Sequence, residues 1–532
     1  MEKNAQLTAY DEAINYLKIS PMFNLSLSSK ELFHSNFLYW IWKLDPNAFK
    51  SLMATLLDVK TNELDWGDDD KWEVVREYNS FDLCVKYCDT ESNNEETGAR
   101  KIHYGDVLLV IENKVKSIPY KGQLHKYVNK VKKLYGLLKD GEDIVDRCGK
   151  TTYRNNTYDF NVDSCSSKWP EPVKKRYDKY CQYKSVKYIL LTLPTHFPNA
   201  PKEISSEGKN STIDNWEIVT YNKYIKILKE LKISSSDGLD EQTKVYASKI
   251  IDDYIKFVEH LLVIYQEWTE MCYDQLGFIY YEEPKQPCGE YIGYITDAQN
   301  LRIHDLYHKS KYARICADII SKFSDVNIDG YEVGINLTEK EVSNFLENEA
   351  CTKKGKQGYI VWEYNYTHGE PLVGVKIARR DKDDNLITYI IQVQSGVYEH
   401  GVIADHTKLK KSEGKYLTTK DKKLWEYIRD KSKENVFSVG GYPWLRYEDF
   451  ADDATKGFKL SNPENVLVSD NIFVMGCLYP ETLPYAKYAS DNSNTAMIYQ
   501  FRKLKTEVKT EDLIEYIIKD VTNLLKQLNE QQ

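Results

Sequence analysis

A continuous apolar run that ends in three polar residues constrains the fold of this chain more than any other feature. Residues Val107–Ile111 are all valine, leucine or isoleucine, and Glu112, Asn113 and Lys114 follow them directly. Such a run predicts a strand buried on both faces, which requires a sheet with helices packed on each side. Glu112 and Lys114 are two residues apart, so both side chains leave the strand on the same face. The sequence therefore predicts a charged pair at the end of a central strand.

Strand and helix signals alternate around this run, up to about residue 270. We predict strands where β-branched and other apolar residues cluster, and helices where apolar residues recur every three or four positions. The predicted strands are Trp72–Glu77, Phe81–Cys88, Asp106–Glu112, Val186–Leu193 and Trp216–Tyr221, and the predicted helices are Lys30–Leu44, Gln123–Leu138, Asn222–Leu231 and Lys244–Trp268. The polar stretch from Gly141 to Lys184 shows little regular pattern, so we expect an insertion there. This alternation is typical of an α/β domain.

The second half of the chain has a different pattern. The stretch Tyr280–Gly293 carries two prolines and two glycines, which indicates a connection between domains. Beyond it, four apolar segments between Tyr331 and Gln394 predict an antiparallel meander, and an amphipathic helix begins at Thr510. We therefore predict an α/β domain at residues 1–275 and a C-terminal α+β domain of unassigned role at residues 276–532.

The distribution of charge excludes one class of protein and distinguishes one segment. A net charge of −9 excludes a uniformly basic nucleic-acid coat protein, whereas a local basic groove on an acidic body is compatible with it. Between Lys114 and Lys139 there are eight lysines and no acidic residue. Two interpretations are open: a solvated helix face, or a surface that follows a phosphate backbone. The candidates for that surface are Lys116, Lys121, Lys126, Lys130 and Lys133, together with Tyr127, whose ring also suits the helix core.

The sequence contains no signal for a membrane or for secretion. No apolar run reaches the ~18 residues of a membrane-spanning helix, and the first residues lack the apolar core of a signal peptide. The ten cysteines include no Cys-x-x-Cys pair. Scattered cysteines of this kind suit free thiols in a reducing compartment. We therefore expect a cytoplasmic protein with no membrane partner.

Asp82, Glu112 and Lys114 are the residue types that metal-assisted hydrolysis of a phosphodiester requires. Asp82 is predicted to lie in a strand next to the Glu112 strand, which brings the three charged side chains around one point. Two carboxylates and the carbonyl oxygen of Asn113 suit Mg²⁺ or Mn²⁺, which prefer oxygen ligands. Such a metal polarises a phosphoryl oxygen and lowers the pKa of a bound water. A lysine beside it orients that water or offsets the charge that develops in the transition state.

These residues resemble the PD-(D/E)xK nuclease superfamily. Its motif is an acid in one strand and then acid–any–lysine at the end of the next, here Asp82 and Glu112-Asn113-Lys114. The following helix in several branches begins Gln-x-x-x-Tyr, which Gln123 and Tyr127 match. The resemblance covers about residues 28–265. In one departure from the pattern, Phe81 stands before Asp82 in place of the proline that gives the superfamily its name.

The resemblance implies a restriction-endonuclease-like core, in which a central mixed sheet is flanked by helices. It also implies Mg²⁺ or Mn²⁺ as cofactor, nucleic acid as substrate with DNA favoured over RNA, and a setting in phage defence or mobile-element biology. The first helix of such proteins often carries an acid near the site, here Glu31 as a metal ligand or water anchor. Two roles are open for Gln123: contact with phosphate or the metal shell, or capping of its helix.

Two further questions concern activity and partners. A catalytically inactive nuclease-fold module that binds nucleic acid or acts as a sensor is the alternative to an enzyme. The intact set of Asp82, Glu112 and Lys114 argues against such a loss of activity. The C-terminal domain is a candidate surface for a homodimer or for a partner protein.

We predict that residues 1 to about 270 fold independently, because the alternating pattern closes before the proline-bearing stretch. Limited proteolysis of the full chain should release a stable fragment that ends between about residues 270 and 295, where few contacts are expected to cross. Mass spectrometry of the fragments checks the end point. A digest in which no stable fragment ends in that interval contradicts the prediction.

Overall fold

The computed structural model describes residues 8–64, 66, 71–87, 107–116, 121–139, 142–145, 149–161, 169–193, 211–213, 215–231, 233, 239–271, 292–323, 331–335, 358–367, 370–380, 386–394, 397–405, 438–439, 442–443, 495–504 and 508–530. Contacts within the chain group it into two compact units. The first comprises Met1–Tyr265 with Leu301–Ile303, and the second Gln266–Asn300 with His304–Gln532. Most of the predicted connection, residues 280–291, lies outside the described residues.

The first unit alternates helices with strands. In chain order its elements are α1 (Ala9–Ile19), α2 (Pro21–Leu25), α3 (Glu31–Leu44), α4 (Pro46–Leu56), β1 (Trp72–Arg76), β2 (Leu83–Tyr87), β3 (Val107–Lys114), α5 (Lys121–Leu134), β4 (Leu138–Lys139), β5 (Glu142–Asp143), β6 (Lys150–Tyr153), β7 (Asn156–Asp159), α6 (Glu171–Ser185), β8 (Lys187–Thr192), β9 (Ser211–Ile213), β10 (Trp216–Thr220), α7 (Tyr221–Glu230) and α8 (Glu241–Met271), whose last residues fall in the second unit.

A six-stranded mixed sheet forms the centre of the first unit. Its strand order is β1-β2-β3-β8-β10-β9, in which β3, β8 and β10 are parallel and the other neighbours are antiparallel. β3 and β8 lie in the middle and are buried along most of their length. This explains why both have continuous apolar runs rather than alternating ones. The predicted restriction-endonuclease-like α/β core is confirmed.

The two faces of β3 contact different helices. Val110 packs in a cluster that includes Leu124 of α5 and Tyr183 of α6. Asn113, whose side chain leaves the opposite face, contacts α3 and α7. Because side chains alternate along a strand, Glu112 lies on the same face as Val110. The charged end of β3 therefore faces α5.

The described residues between Gly141 and Lys184 form regular elements, which the sequence pattern there had not indicated. Its described residues contain the second strand of the β4–β5 hairpin, the β6–β7 hairpin and most of α6. Phe160, Val173, Tyr180 and Tyr183 of this segment are buried in the cluster that covers the α5 face of the sheet. Tyrosines carry much of this burial, and a ring with a polar tip gives a weak hydropathy signal.

The second unit is an α+β arrangement. Its elements are α9 (Ile292–Asn300), α10 (His304–Phe323), β11 (Tyr331–Ile335), β12 (Gly358–Thr367), β13 (Glu370–Arg380), β14 (Leu386–Gln394), β15 (Val397–Asp405), β16 (Ser438–Val439), β17 (Tyr442–Pro443), β18 (Thr495–Lys503) and α11 (Thr510–Glu530).

A second six-stranded sheet, ordered β11-β12-β13-β14-β15-β18, supports the helices of this unit. α10 packs on β12 and β13, and α11 contacts α10 through an apolar stripe that includes Ile514, Ile517 and Val521. Of the four strands predicted as an antiparallel meander, β12, β13 and β14 pair antiparallel, but β11 pairs in parallel with β12. β15 continues the antiparallel pairing beyond the predicted segments. Among the described residues of the whole chain, no helix combines the length and the apolar character that crossing a bilayer requires.

Candidate active site

Residues from β2, β3 and α5 meet at the end of β3. Because β2 is antiparallel to β3, its beginning lies beside the end of β3, where Glu112, Asn113 and Lys114 follow one another. The sequence predicted that Asp82 lies within a strand. In the structure, Asp82 immediately precedes β2. Its carboxylate nevertheless reaches β3, since Oδ2 accepts the backbone N–H of Asn113 at 2.8 Å.

Glu112 and Lys114 form a buried ion pair. Nζ of Lys114 is 2.6 Å from Oε1 of Glu112, and the two residues are only 6% and 1% exposed, respectively. Glu31, the first residue of α3, brings a carboxylate oxygen to 3.7 Å from the same ammonium. Lys114 therefore lies between two acidic side chains from different elements.

Burial and charge shift the pKa values of this pair in physically distinct ways. Burial raises the pKa of Glu112 to about 7, and the Lys114 ammonium opposes that shift. Burial by itself would lower the pKa of Lys114, but the Glu31 and Glu112 carboxylates outweigh it and raise that pKa. Burial also raises the pKa of Asp82, against the hydrogen bond from Asn113. Lys114 is therefore charged throughout the neutral range.

Two residues of α5 complete the coordination of one Glu112 oxygen. Nε2 of Gln123 donates to Oε1 of Glu112 at 3.1 Å and to the Tyr127 hydroxyl at 2.9 Å. The Tyr127 hydroxyl donates to the same Oε1 at 3.3 Å. Gln123 thus contacts the Glu112 carboxylate, and Tyr127 lies in the core with its ring 5.5 Å from that of Phe81. This placement supports a role for Tyr127 in holding Glu112 rather than in stacking on a base.

The other oxygen of Glu112 is buried without a donor. Oε2 has no hydrogen-bond partner among the described residues, although it is inaccessible to solvent. A buried carboxylate oxygen in this state is energetically unfavourable unless a cation or a water approaches it. Among the described residues, Oε1 receives three donors and Oε2 receives none, so Glu112 is held through one oxygen only.

Asn113 braces the end of β3 from the opposite face of the sheet. Its side chain is fully buried, with Nδ2 donating to Oγ of Ser35 at 2.5 Å and Oδ1 accepting the Tyr221 hydroxyl at 3.2 Å. Its N–H and C=O leave the strand on one lateral side, as in any β-strand, so the carbonyl points toward the side of Asp82. α3, α7 and β2 therefore all fix the backbone on which Glu112 and Lys114 stand.

His34 lies in the core beside Tyr221 and outside the charged site. Its Nε2 is 2.9 Å from Oγ of Ser29, and its Nδ1 is 2.7 Å from the Tyr254 hydroxyl of α8. Burial lowers the pKa of His34 to about 3, with a further contribution from the charge of Lys116. The imidazole therefore links α3 to α8 as a neutral, hydrogen-bonded group.

The predicted basic residues have different surroundings. Lys126 and Lys133 are exposed on α5, whose first residue is Lys121. Nζ of Lys130 donates to the carbonyl of Asn79 at 2.7 Å, and Nζ of Lys116 donates to the carbonyl of Arg302 at 3.1 Å. Lys126 and Lys133 are consequently the members of the set that face solvent in the described part of the chain.

The residues present fit a divalent metal with an incomplete protein shell. Among the described residues, no group of three or more His, Cys, Asp and Glu side chains is arranged to hold a metal. Asp82, Glu112 and the Asn113 carbonyl offer oxygen ligands, and Oε2 of Glu112 is buried without a donor. Mg²⁺ commonly binds one or two carboxylates and takes its remaining ligands from water and substrate phosphate. A site of this kind is therefore compatible with the donors found here.

Comparison with known proteins gives a family match within the first unit. A family described as the PD-(D/E)XK nuclease superfamily matches residues 22–248. The matched residues include every residue of the site described above. Searches among curated proteins and among solved structures gave no match.

Sequence reasoning missed the hydrogen bonds that join Asn113 to Ser35 and Tyr221. Tyr221 lies 108 positions from Asn113 and Ser35 lies 78 positions from it. The pattern of β3 predicts only that Asn113 faces away from Glu112 and Lys114. A buried asparagine between two charged residues is a signal that polar partners exist on the other face, since a buried amide must be hydrogen-bonded.

Replacing Asn113 with alanine should destabilise the first unit by about 1–3 kcal/mol, because the Ser35 and Tyr221 hydroxyls lose a buried partner. Tyr221→Phe removes one hydrogen bond and should cost about 1 kcal/mol. Urea unfolding of the full chain, followed by tryptophan fluorescence, measures both changes.

Asn129→Ala, at a half-buried position of α5, is the matched control and should leave the unfolding midpoint nearly unchanged. If Asn113→Ala is no more destabilising than this control, the Asn113 side chain does not support the end of β3 as proposed.

His34 should remain neutral down to about pH 4, because its folded-state pKa of about 3 lies far below the unperturbed value of 6.5. Between those two values the unfolded chain binds a proton that the folded chain does not. Lowering the pH through this window therefore favours unfolding, by up to about 1.4 kcal/mol per pH unit from this residue. NMR of the imidazole, assigned with His34→Gln, should show no titration between pH 8 and about pH 4.5. A midpoint near 6.5 would show that the ring is accessible.

Proposed function

We propose that the chain is a nuclease that hydrolyses phosphodiester bonds of nucleic acid with Mg²⁺ or Mn²⁺, and that DNA is its favoured substrate. The observation that carries this proposal is the buried Glu112–Lys114 pair beside Asp82, at the end of the central strand of a nuclease-superfamily domain. Clustered, buried charges with strongly shifted pKa values are typical of catalytic sites.

Asp82, Glu112 and the carbonyl of Asn113 are the groups that we propose to hold the metal. When bound, the metal would polarise a phosphoryl oxygen and lower the pKa of a water molecule. Gln123 and Tyr127 hold Oε1 of Glu112 and so fix the direction of Oε2. The N–H of Asn113 does the same for the Asp82 carboxylate. Holding acidic ligands in place before substrate arrives removes a reorganisation cost from the reaction.

Lys114 has the charge and the position of a transition-state group. Its ammonium is protonated at neutral pH and is held between the Glu31 and Glu112 carboxylates. A cation preorganised in this way stabilises negative charge that develops on the phosphoryl oxygens, or orients the attacking water. Glu31 then serves as the anchor of Lys114, in addition to the role of water anchor that the resemblance implies.

The wider biological assignments have support of a different kind. The exposed Lys126 and Lys133, on the helix that follows the site, suit a phosphate backbone that passes along α5. A cytoplasmic location and a setting in phage defence or mobile-element biology rest on the sequence and on the family resemblance. An inactive nucleic-acid-binding module, and dimerisation or partner binding through residues 276–532, stay alternatives that experiment decides.

A cleavage assay tests the proposal directly. The purified full chain is incubated with plasmid DNA, linear duplex DNA, single-stranded DNA and RNA, each with Mg²⁺, Mn²⁺ or EDTA. Cleavage of DNA that requires the metal supports the proposal. Binding of these substrates without cleavage in either metal would favour the inactive module instead.

Within this site, Asp82→Asn and Glu112→Gln should weaken metal binding and cleavage together, because each removes a negative charge and keeps the shape of the side chain. Lys114→Ala should leave metal affinity largely intact and lower kcat by about 10²–10³-fold, the usual effect of losing one preorganised donor. Calorimetry with Mn²⁺ and single-turnover cleavage separate the two effects.

Asp58→Asn is the matched control for the acid-to-amide changes, since Asp58 forms an ion pair with Lys223 on the surface, 2.7 Å apart. It should cleave like the wild type. Normal cleavage by Lys114→Ala would remove the proposed role of Lys114, and normal cleavage by all three site variants would place the activity elsewhere.

A further inference from the structure

The segment between α5 and β8 carries an exposed basic surface that the site does not use. We propose that Arg154, Lys175 and Lys179, here called the α6 basic surface, form a second contact for the phosphate backbone of the substrate, away from the reacting bond. This inference rests on the proposed function, because it extends the path of the nucleic acid beyond the Glu112 end of the sheet. Its chemistry is recognition of phosphate by guanidinium and ammonium groups.

The tip of the β6–β7 hairpin holds Arg154 in solvent. The strands pair with Tyr153 opposite Asn156, so the turn consists of Arg154 and Asn155 alone. Both have a positive φ, 48° and 67°, which is the left-handed conformation of a tight hairpin turn. Glycine and asparagine adopt it readily, whereas a residue with a long side chain adopts it at a cost. An arginine at such a position is an outlier that points to a use for its side chain.

Arg176 of α6 supports the β6–β7 hairpin. Nη1 of Arg176 donates to Oγ1 of Thr151 and to the carbonyl of Thr152, both at 3.1 Å. Two guanidinium groups lie near the Tyr153 ring, with Cζ of Arg154 at 5.4 Å and Cζ of Arg176 at 5.7 Å from its centre. Arg176 therefore supports the hairpin, and Arg154 lies exposed at its tip.

The α6 basic surface adjoins the basic residues of α5. A Cβ built on Gly136, just after α5, would lie 3.6 Å from Nζ of Lys179. The N–H of Gly136 donates to the carbonyl of Lys133, one of the two exposed lysines of α5. Lys175 precedes Lys179 by one helical turn, so the two share a face of α6. Lys179 therefore lies beside the C-terminal end of α5.

Two of the acidic residues near this surface are paired. Asp143 lies 3.2 Å from Nζ of Lys132, and Asp159 lies 3.7 Å from Nζ of Lys150. Glu171 and Asp178 are exposed on α6, against five basic residues in the same helix. The balance favours an anionic partner on a protein whose net charge is −9. α5 alone spans about 21 Å, which is the length of about six phosphates along one strand of a duplex.

The test is the salt dependence of binding by the full chain. Fluorescence anisotropy in EDTA measures affinity for a duplex of about 30 base pairs and for a single strand of the same length, from about 50 to 300 mM KCl. Relative to the wild type, the triple variant Arg154→Ala, Lys175→Ala, Lys179→Ala should lower the log–log slope by about 2–3 and the affinity by at least about tenfold. The two DNA arms decide which form of phosphate backbone the surface follows.

Two sets of variants serve as controls. Lys226→Ala, Lys249→Ala and Lys256→Ala remove three exposed lysines from α7 and α8, which lie away from the α6 basic surface, and should leave the slope unchanged. Arg154→Lys keeps the charge and should retain most of its share of the slope. In cleavage assays the triple variant should raise KM and leave kcat unchanged, because none of its residues touches the reacting atoms.

Equal slopes for the triple variant and the wild type would overturn this inference and leave the proposed nuclease intact. A fall in kcat at unchanged slope would also overturn it, since that result belongs to a structural effect on the site. A wild-type chain that binds neither form of DNA nor RNA would overturn the proposed function, and the inference with it.

Discussion

The buried ion pair between Glu112 and Lys114 is the interaction on which the arrangement of the first unit depends. Taking two charges out of water costs several kcal/mol per ion, and their attraction offsets this only when further hydrogen bonds complete the pair. Gln123 and Tyr127 supply those bonds from α5, and Glu31 supplies a second carboxylate from α3. The pair is therefore stable only where α3, α5 and β3 meet, which couples the packing of the unit to its chemistry.

β3 places its charged side chains and its supporting side chain on opposite faces, because side chains alternate along a strand. Glu112 and Lys114 face α5 and carry the charges, whereas Asn113 faces the other layer and is bound by Ser35 and Tyr221. The backbone N–H of Asn113 also orients Asp82. One strand thus carries Glu112 and Lys114, orients Asp82 through its backbone, and is supported from its opposite face. Rigid support of this kind is what keeps catalytic groups within the small tolerance that a reaction allows.

The segment between α5 and β8 shows how an acidic protein can present a basic surface. Its tyrosines are buried or partly buried, whereas Arg154, Lys175 and Lys179 remain exposed. Since the field that attracts a polyanion is local, overall charge does not decide the question. The same composition that makes this segment look irregular in sequence gives it an apolar inner side and a cationic outer side.

The sequence by itself determined the central strand, the alternation of the first unit, and the shared face of Glu112 and Lys114, because these follow from periodicity over a few residues. It did not determine the folded segment between Gly141 and Lys184, where tyrosines hide the apolar pattern. Nor did it determine the partners of Asn113 or the contacts of Gln123 and Tyr127 with Glu112. These depend on residues up to 108 positions apart, and only the packing of helices on both faces of the sheet brings them together. Hydrogen-bond partners at such separation leave no local trace in a single sequence, since their spacing is set by the tertiary structure.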